Sequence, residues 1–134
     1  MILDHKDIAE YILKNYRNKV VEVGVGNLPQ VALLLKDKMD VIVTDINEKK
    51  FYGLMFCLDD IFSPDFSIYK DASLIYSIRP PIDIQLSIAE IASFVSADLI
   101  IRPFSNEKAD LRKYYKDQTL VNYKKSRFYL YKFS

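Results

Sequence analysis

Two glycines one residue apart, and an aspartate about twenty residues further on, are the residues of this chain best placed to act on a ligand. Gly24 and Gly26 follow the run Val20-Val21-Glu22-Val23 and stand just ahead of Pro29 and the apolar stretch Val31 to Leu35. Without a Cβ, a glycine lets the backbone turn sharply and lets a ligand come close. A helix starting behind such a turn offers unpaired N–H groups and a partial positive charge to an anionic group. Asp45 closes a second apolar run, Asp40 to Thr44. A carboxylate at the end of a neighbouring strand accepts hydrogen bonds from ribose hydroxyls; the alternative is a turn or capping residue leading into Ile46-Asn47-Glu48. Arg79 and Arg102 each stand in an Ile-Arg-Pro ending to an apolar run. At one sheet edge two guanidinium groups would form a donor-rich clamp for a carboxylate or phosphate, with the following prolines holding the backbone extended. The competing expectation pairs each with a nearby acid such as Glu107 or Asp71.

The elements that must position these residues read as alternating strands and helices. Ile8, Tyr11, Ile12 and Tyr16 recur at helical spacing and predict a helix over Asp4 to Asn18, with Asp4 as its cap and Asp7 three residues on. Strands are expected at Lys19 to Val23, Asp40 to Thr44, Leu54 to Leu58 on a sheet edge, Asp71 to Ile78 and Asp98 to Ile101. Helices are expected from Pro29 to about Lys38, from Ile84 to Val95, and from Asn106 to Asp117 with exposed charges. Glu48 to Tyr52 is too short for a crossover helix. Thr119 to Tyr123 and Phe128 to Phe133 alternate and read as an antiparallel hairpin joined by Lys124 to Arg127. Near-continuous apolar strands suit a mainly parallel sheet covered on both faces, a three-layer Rossmann-like α/β domain. Pro29 withholds an N–H where a pyrophosphate needs one, which favours a nucleoside over a dinucleotide such as NAD.

Composition narrows the classes. The 134 residues, half of them hydrophobic, are expected to form one domain over 1–134. No apolar run is long enough to span a bilayer, and Asp4 and Lys6 stand where a signal peptide needs an apolar core, so a cytoplasmic protein is expected. The single cysteine, Cys57, reads as a small buried hydrophobe, and with one histidine, His5, no metal site is expected. Residues 1–101 carry 10 Lys/Arg against 15 Asp/Glu, and residues 102–134 carry 9 against 3, so −5 and +6 make up the net +1. A basic final third suits an anionic partner, RNA included, or simply a solvated face. Richness in Ile, Lys and Tyr leans towards a thermophile.

Together these pieces resemble the class I S-adenosylmethionine-dependent methyltransferases. Glu22-Val23-Gly24-Val25-Gly26 is similar to that family's first motif, Asp45 to its ribose-binding acid, and Asp60-Ile61-Phe62 with Pro64 to the segment whose Asp binds the adenine amino group. The resemblance implies a cofactor site of Glu22, Gly24, Gly26, Asp45 and Asp60. It also implies strand order 3-2-1-4-5 with the hairpin beyond the fifth strand. Ile75 to Pro81 sits where many members carry Asn-Pro-Pro-Tyr, and here Arg79 replaces the Asn. Guanidinium only donates, so it cannot orient a target amine's lone pair as that Asn does. More narrowly, Asp59-Asp60-Ile61-Phe62 with Tyr76-Ser77-Ile78-Arg79-Pro80-Pro81 resembles a small family of uncharacterised archaeal proteins. Three readings stay open: a minimal methyltransferase with an anionic substrate, a non-catalytic nucleoside-binding sensor or partner subunit, and a nicotinamide- or flavin-binding protein. No strong general base stands out among Tyr76, Asp71 and Glu107.

Overall fold

A computed structural model describes residues 4–134; Met1 to Leu3, at the start of the segment read against a signal peptide, lie outside the described residues. The element order is α1 (His5–Asn15), β1 (Lys19–Glu22), α2 (Gln30–Leu35), β2 (Asp40–Asp45), β3 (Met55–Leu58), α3 (Phe66–Tyr69), β4 (Leu74–Ile78), α4 (Ile82–Phe94), β5 (Asp98–Arg102), β6 (Asp117–Tyr123) and β7 (Ser126–Lys132). Seven strands form one sheet in the order β3-β2-β1-β4-β5-β7-β6, so the 3-2-1-4-5 order expected from the resemblance is found, with the hairpin beyond β5. β1 to β5 are parallel, while β7 runs antiparallel to both β5 and β6.

Alternation along each strand sorts the core into two layers. Val20, Val43, Tyr76 and Ile100 face α1 and α2, where Ile8, Ile12, Val31 and Leu35 pack against them. Val21, Ile75, Leu99 and Ile101 face the opposite way, onto Ile68, Ile88 and Ala92 of α3 and α4. Strands covered on both faces carry the continuous apolar runs seen in the sequence. β1 and β4 are neighbours, with α2 leaving to one face and α4 to the other. Their loops diverge at the carboxyl edge and open a crevice there, where ligands of open α/β sheets bind.

Four differences from the sequence expectations have physical reasons. The stretch expected as a helix from Asn106 to Asp117 is irregular. Part of its backbone is held by Gln85 instead: the fully buried amide donates to the C=O of Glu107 (2.8 Å) and, at the end of β4, of Pro80 (3.1 Å), and its oxygen accepts from Ala109 N–H (2.8 Å). Asp4 does not cap α1 with its side chain, which is committed across the sheet to Arg102 and Ser126. α3, a single turn capped by Asp65, was not anticipated. Cys57 is half-buried rather than buried, because β3 is an edge strand. Boundaries also move: β4 starts at Leu74, β6 at Asp117, and the hairpin turn is only Lys124-Lys125, with Lys124 in the left-handed region at φ +53°.

Candidate functional site

The turn after β1 is pinned on both sides. Val23 N–H donates to the Tyr76 C=O (2.9 Å), Ser77 Oγ donates to the Val23 C=O (2.7 Å), and Val25 N–H donates to the Thr44 C=O (2.9 Å). Gly24 and Gly26 take φ of +69° and +59°, a conformation that L side chains rarely adopt. A Cβ built on either glycine meets nothing within 4 Å, so their outer side is open to a ligand.

Asp45 ends β2 beside this turn. Gly26 N–H donates to its Oδ2 (2.8 Å) and Asn47 N–H to its Oδ1 (3.0 Å). The turn role and the ligand role are therefore compatible. The two backbone bonds lock the carboxylate's orientation, and each oxygen keeps a lone pair for a further donor. The chain continues from β3 into Asp59 and Asp60. Asp59 N–H donates to the Asp45 C=O (3.0 Å), while the Asp59 carboxylate accepts from Tyr69 Oη (2.5 Å) and Asp65 N–H (2.9 Å). Asp60 is exposed and accepts from Phe62 N–H (2.9 Å).

These loops enclose a cleft of ≈ 80 Å³ whose lining includes Gly24, Thr44, Asp45, Ile46, Asp60 and Phe62. Ile46 and Phe62, 63% and 60% exposed, flank it with apolar surface. Ligand pockets usually run to about 300–1,000 Å³, so this cleft is smaller than one that encloses a whole ligand and continues into the open glycine turn. Of the five residues expected at the cofactor, Gly24, Asp45 and Asp60 line the cleft, and Gly26 reaches it through its bond to Asp45. Glu22 lies behind the turn, 1% exposed, accepting from Tyr76 Oη (2.9 Å). Burial pushes its carboxyl up to about 8, so it carries a proton at neutral pH. Thr44, Ile46 and Tyr69 were not expected at the site, and Asp59 and Phe62 were named only as neighbours of Asp60 in its motif; the Asp59-Asp60 doublet after an apolar run was the available signal.

The two arginines are engaged differently. Arg102 is held by Asp4, with Nε donating to Oδ2 (3.3 Å) and Nη2 to Oδ1 (3.1 Å), an acid 98 residues away rather than Glu107 or Asp71. Arg79 sits over the Phe104 ring, 5.5 Å from its centroid. Nor is the backbone before Pro80 extended: Arg79 has φ +53°, and its N–H donates to the Arg102 C=O (2.7 Å). Among the described residues no group of three His, Cys, Asp or Glu side chains is placed to hold a metal ion, and no helix is long and apolar enough to cross a membrane.

A model of an uncharacterised protein family, UPF0146, matches residues 5–133. A UPF0146 protein of Archaeoglobus fulgidus is 42% identical over 125 residues, covering 92% of this chain and 91% of its own. One from Methanocaldococcus jannaschii is 42% identical over 134 residues, covering 93% and 94%. Among solved structures, a TehB-like SAM-dependent methyltransferase from Corynebacterium glutamicum superposes with a TM-score of 0.69 at 12% identity, over 99% of this chain and 89% of that one. The antibiotic-resistance methyltransferase Kmr gives 0.63 at 13% identity, over 100% and 95%. At these identities the likeness is one of fold.

Proposed function

This chain belongs to the UPF0146 family, whose members are archaeal, and from that premise we propose that it binds S-adenosylmethionine in the cleft at the ends of β1, β2 and β3. One observation carries the reading: the Asp45 carboxylate, locked by the N–H groups of Gly26 and Asn47, stands beside two left-handed glycines whose outer side is open. In this assignment Asp45 takes the ribose hydroxyls, Asp60 the adenine amino group, and Ile46 and Phe62 the faces of the ring. Gly24 and Gly26 admit the methionine end. The cofactor supplies an activated methyl on sulfonium; the protein's part is to hold and align. Superposition on SAM-dependent methyltransferases supports the assignment at the level of fold. Pro29 ahead of a six-residue α2 favours a nucleoside over a dinucleotide such as NAD.

A second reading, a nucleoside-binding module without transfer chemistry, is favoured by Arg79, a donor-only side chain where the amino-methylating relatives of this fold place an acceptor. Calorimetric titration with S-adenosylmethionine, S-adenosylhomocysteine and NAD separates these outcomes. Micromolar binding of the first two supports the cofactor assignment, and binding of NAD alone overturns it. Labelled methyl transfer to candidate acceptors then divides enzyme from module.

A further inference from the structure

On the far side of the crevice, the loop after β5 and the closing hairpin enclose a second cavity of ≈ 280 Å³. Its lining includes Arg102, Ser105, Asn106, Leu120, Arg127 and Tyr129, with no carboxylate. We propose that this cavity is a phosphate-binding site.

Topology puts the cation there. β7 is antiparallel to β5, with Ile101 opposite Tyr129, so the start of β7 lies at the edge where the parallel strands end. Arg127 thereby reaches the carboxyl edge although it comes early in its strand. Arg102 is neutralised by Asp4 and serves as framework. The exposed Arg127 side chain has no ion-pair or hydrogen-bond partner among the described residues, leaving an uncompensated planar donor fork that fits phosphate oxygens bidentately. Ser105 and Asn106 add neutral donors, and Lys108 stands over the Tyr129 ring, 5.0 Å from its centroid, at the cavity's edge. No carboxylate lines the cavity; Asp4 is already engaged by Arg102, and Glu107 in the loop is exposed. The loop itself is anchored, because Gln85 ties Glu107 and Ala109 to Pro80 at the end of β4.

β7 lies two strands from β4, about 10 Å at the usual strand spacing. A phosphate held there lies at the same carboxyl edge of the sheet as the first cleft. If the cofactor reading above holds, on which this role rests, the phosphate belongs to the methyl acceptor.

The test is a titration of ¹⁵N-labelled protein with inorganic phosphate at constant ionic strength, followed by NMR. The expected result is saturable shifts at Ser105, Asn106 and the Arg127 Nε–H. They should weaken about tenfold or more in Arg127→Gln, the loss of a charge-assisted bidentate contact. The same shifts in that variant, or none that saturate in the wild type, overturn the site. Two arms separate the phosphate's source: adenosine monophosphate binding as well as an eight-residue oligouridylate supports a small phosphorylated ligand. Far tighter, steeply salt-dependent binding of the oligonucleotide supports an RNA backbone. S-adenosylhomocysteine binding tells the two proposals apart. Arg127→Gln should leave it unchanged, and phosphate saturation without any homocysteine-nucleoside binding retains the site while removing the acceptor role.

Discussion

The two ends of one sheet edge are organised by opposite means. At the β1–β2–β3 end, carboxylates are positioned by backbone N–H groups of tight turns: Asn47, two residues on, and Gly26, in the glycine turn 19 residues back, on Asp45, and Phe62, two residues on, on Asp60. At the β5–β7 end, an irregular loop and an arginine are positioned by side chains distant in sequence, Gln85 and Asp4. The first arrangement is acidic and shaped by turn conformation. The second is basic and depends on buried side-chain contacts. The acidic end should therefore tolerate side-chain changes elsewhere, while the basic end should fail when one remote residue is lost.

The sharpest way to break this comparison is Gln85→Leu. Two carbonyls and one N–H lose their partner, and at about 1–3 kcal/mol for each orphaned group the domain should lose about 4 kcal/mol in denaturant unfolding. The amide signals of 103–116 should broaden while those of 24–47 keep their shifts; equal disturbance at both ends would refute the asymmetry.

Next in size is a pH effect from beneath the acidic end. The Glu22 carboxyl is raised by burial from 4.5 to about 8, so between those values the folded state holds a proton that the unfolded state releases. That contribution to stability is fully present below about 4.5 and is lost as the pH rises through about 8, with about 3–4 kcal/mol of it gone by about pH 7, at roughly 1.4 kcal/mol per pH unit. Glu22→Gln should flatten it. Matching stability–pH curves for wild type and variant would show that Glu22 is ionised throughout.

Asp4→Ala removes the partner of a half-buried Arg102 and of the Ser126 hydroxyl, and should cost about 2–3 kcal/mol, read from thermal unfolding. Asp45→Ala should lower affinity for S-adenosylhomocysteine at least about tenfold with the fold intact, since ribose donors lose a charged acceptor. Unchanged affinity would leave Asp45 as a turn residue alone. Smallest is Gly24→Ala. Space is open at that position, so only the strain of φ +69° opposes it, about 1 kcal/mol of stability. Its effect on ligand affinity should exceed its effect on unfolding.

Much of the acidic end was legible in the residues because its devices are local. Glycines announce a left-handed turn, and an aspartate two residues before Asn47 announces the bond it accepts. The charged stretch after β5 misled because helix-like composition carries no notice of a buried amide 22 and 24 residues earlier that satisfies its backbone. The partner of Arg102 was hidden for a related reason. Arg102 has a partner at the start of α1, and nothing near Arg102 in the chain names it.

By itself the sequence determined the period of each element, the parallel core and the glycine turn with its acid, because apolar spacing and backbone conformational cost act over a few residues. Only the tertiary structure decided which charges meet. Glu22 became a buried, protonated partner of Tyr76 because β4 lies beside β1, and Asp4 left its helix cap for Arg102 because α1 packs across the sheet. Arg127 reached the carboxyl edge because β7 runs antiparallel to β5. Electrostatic pairing depends on distance and burial in space, and chain folding sets both without regard to separation along the chain.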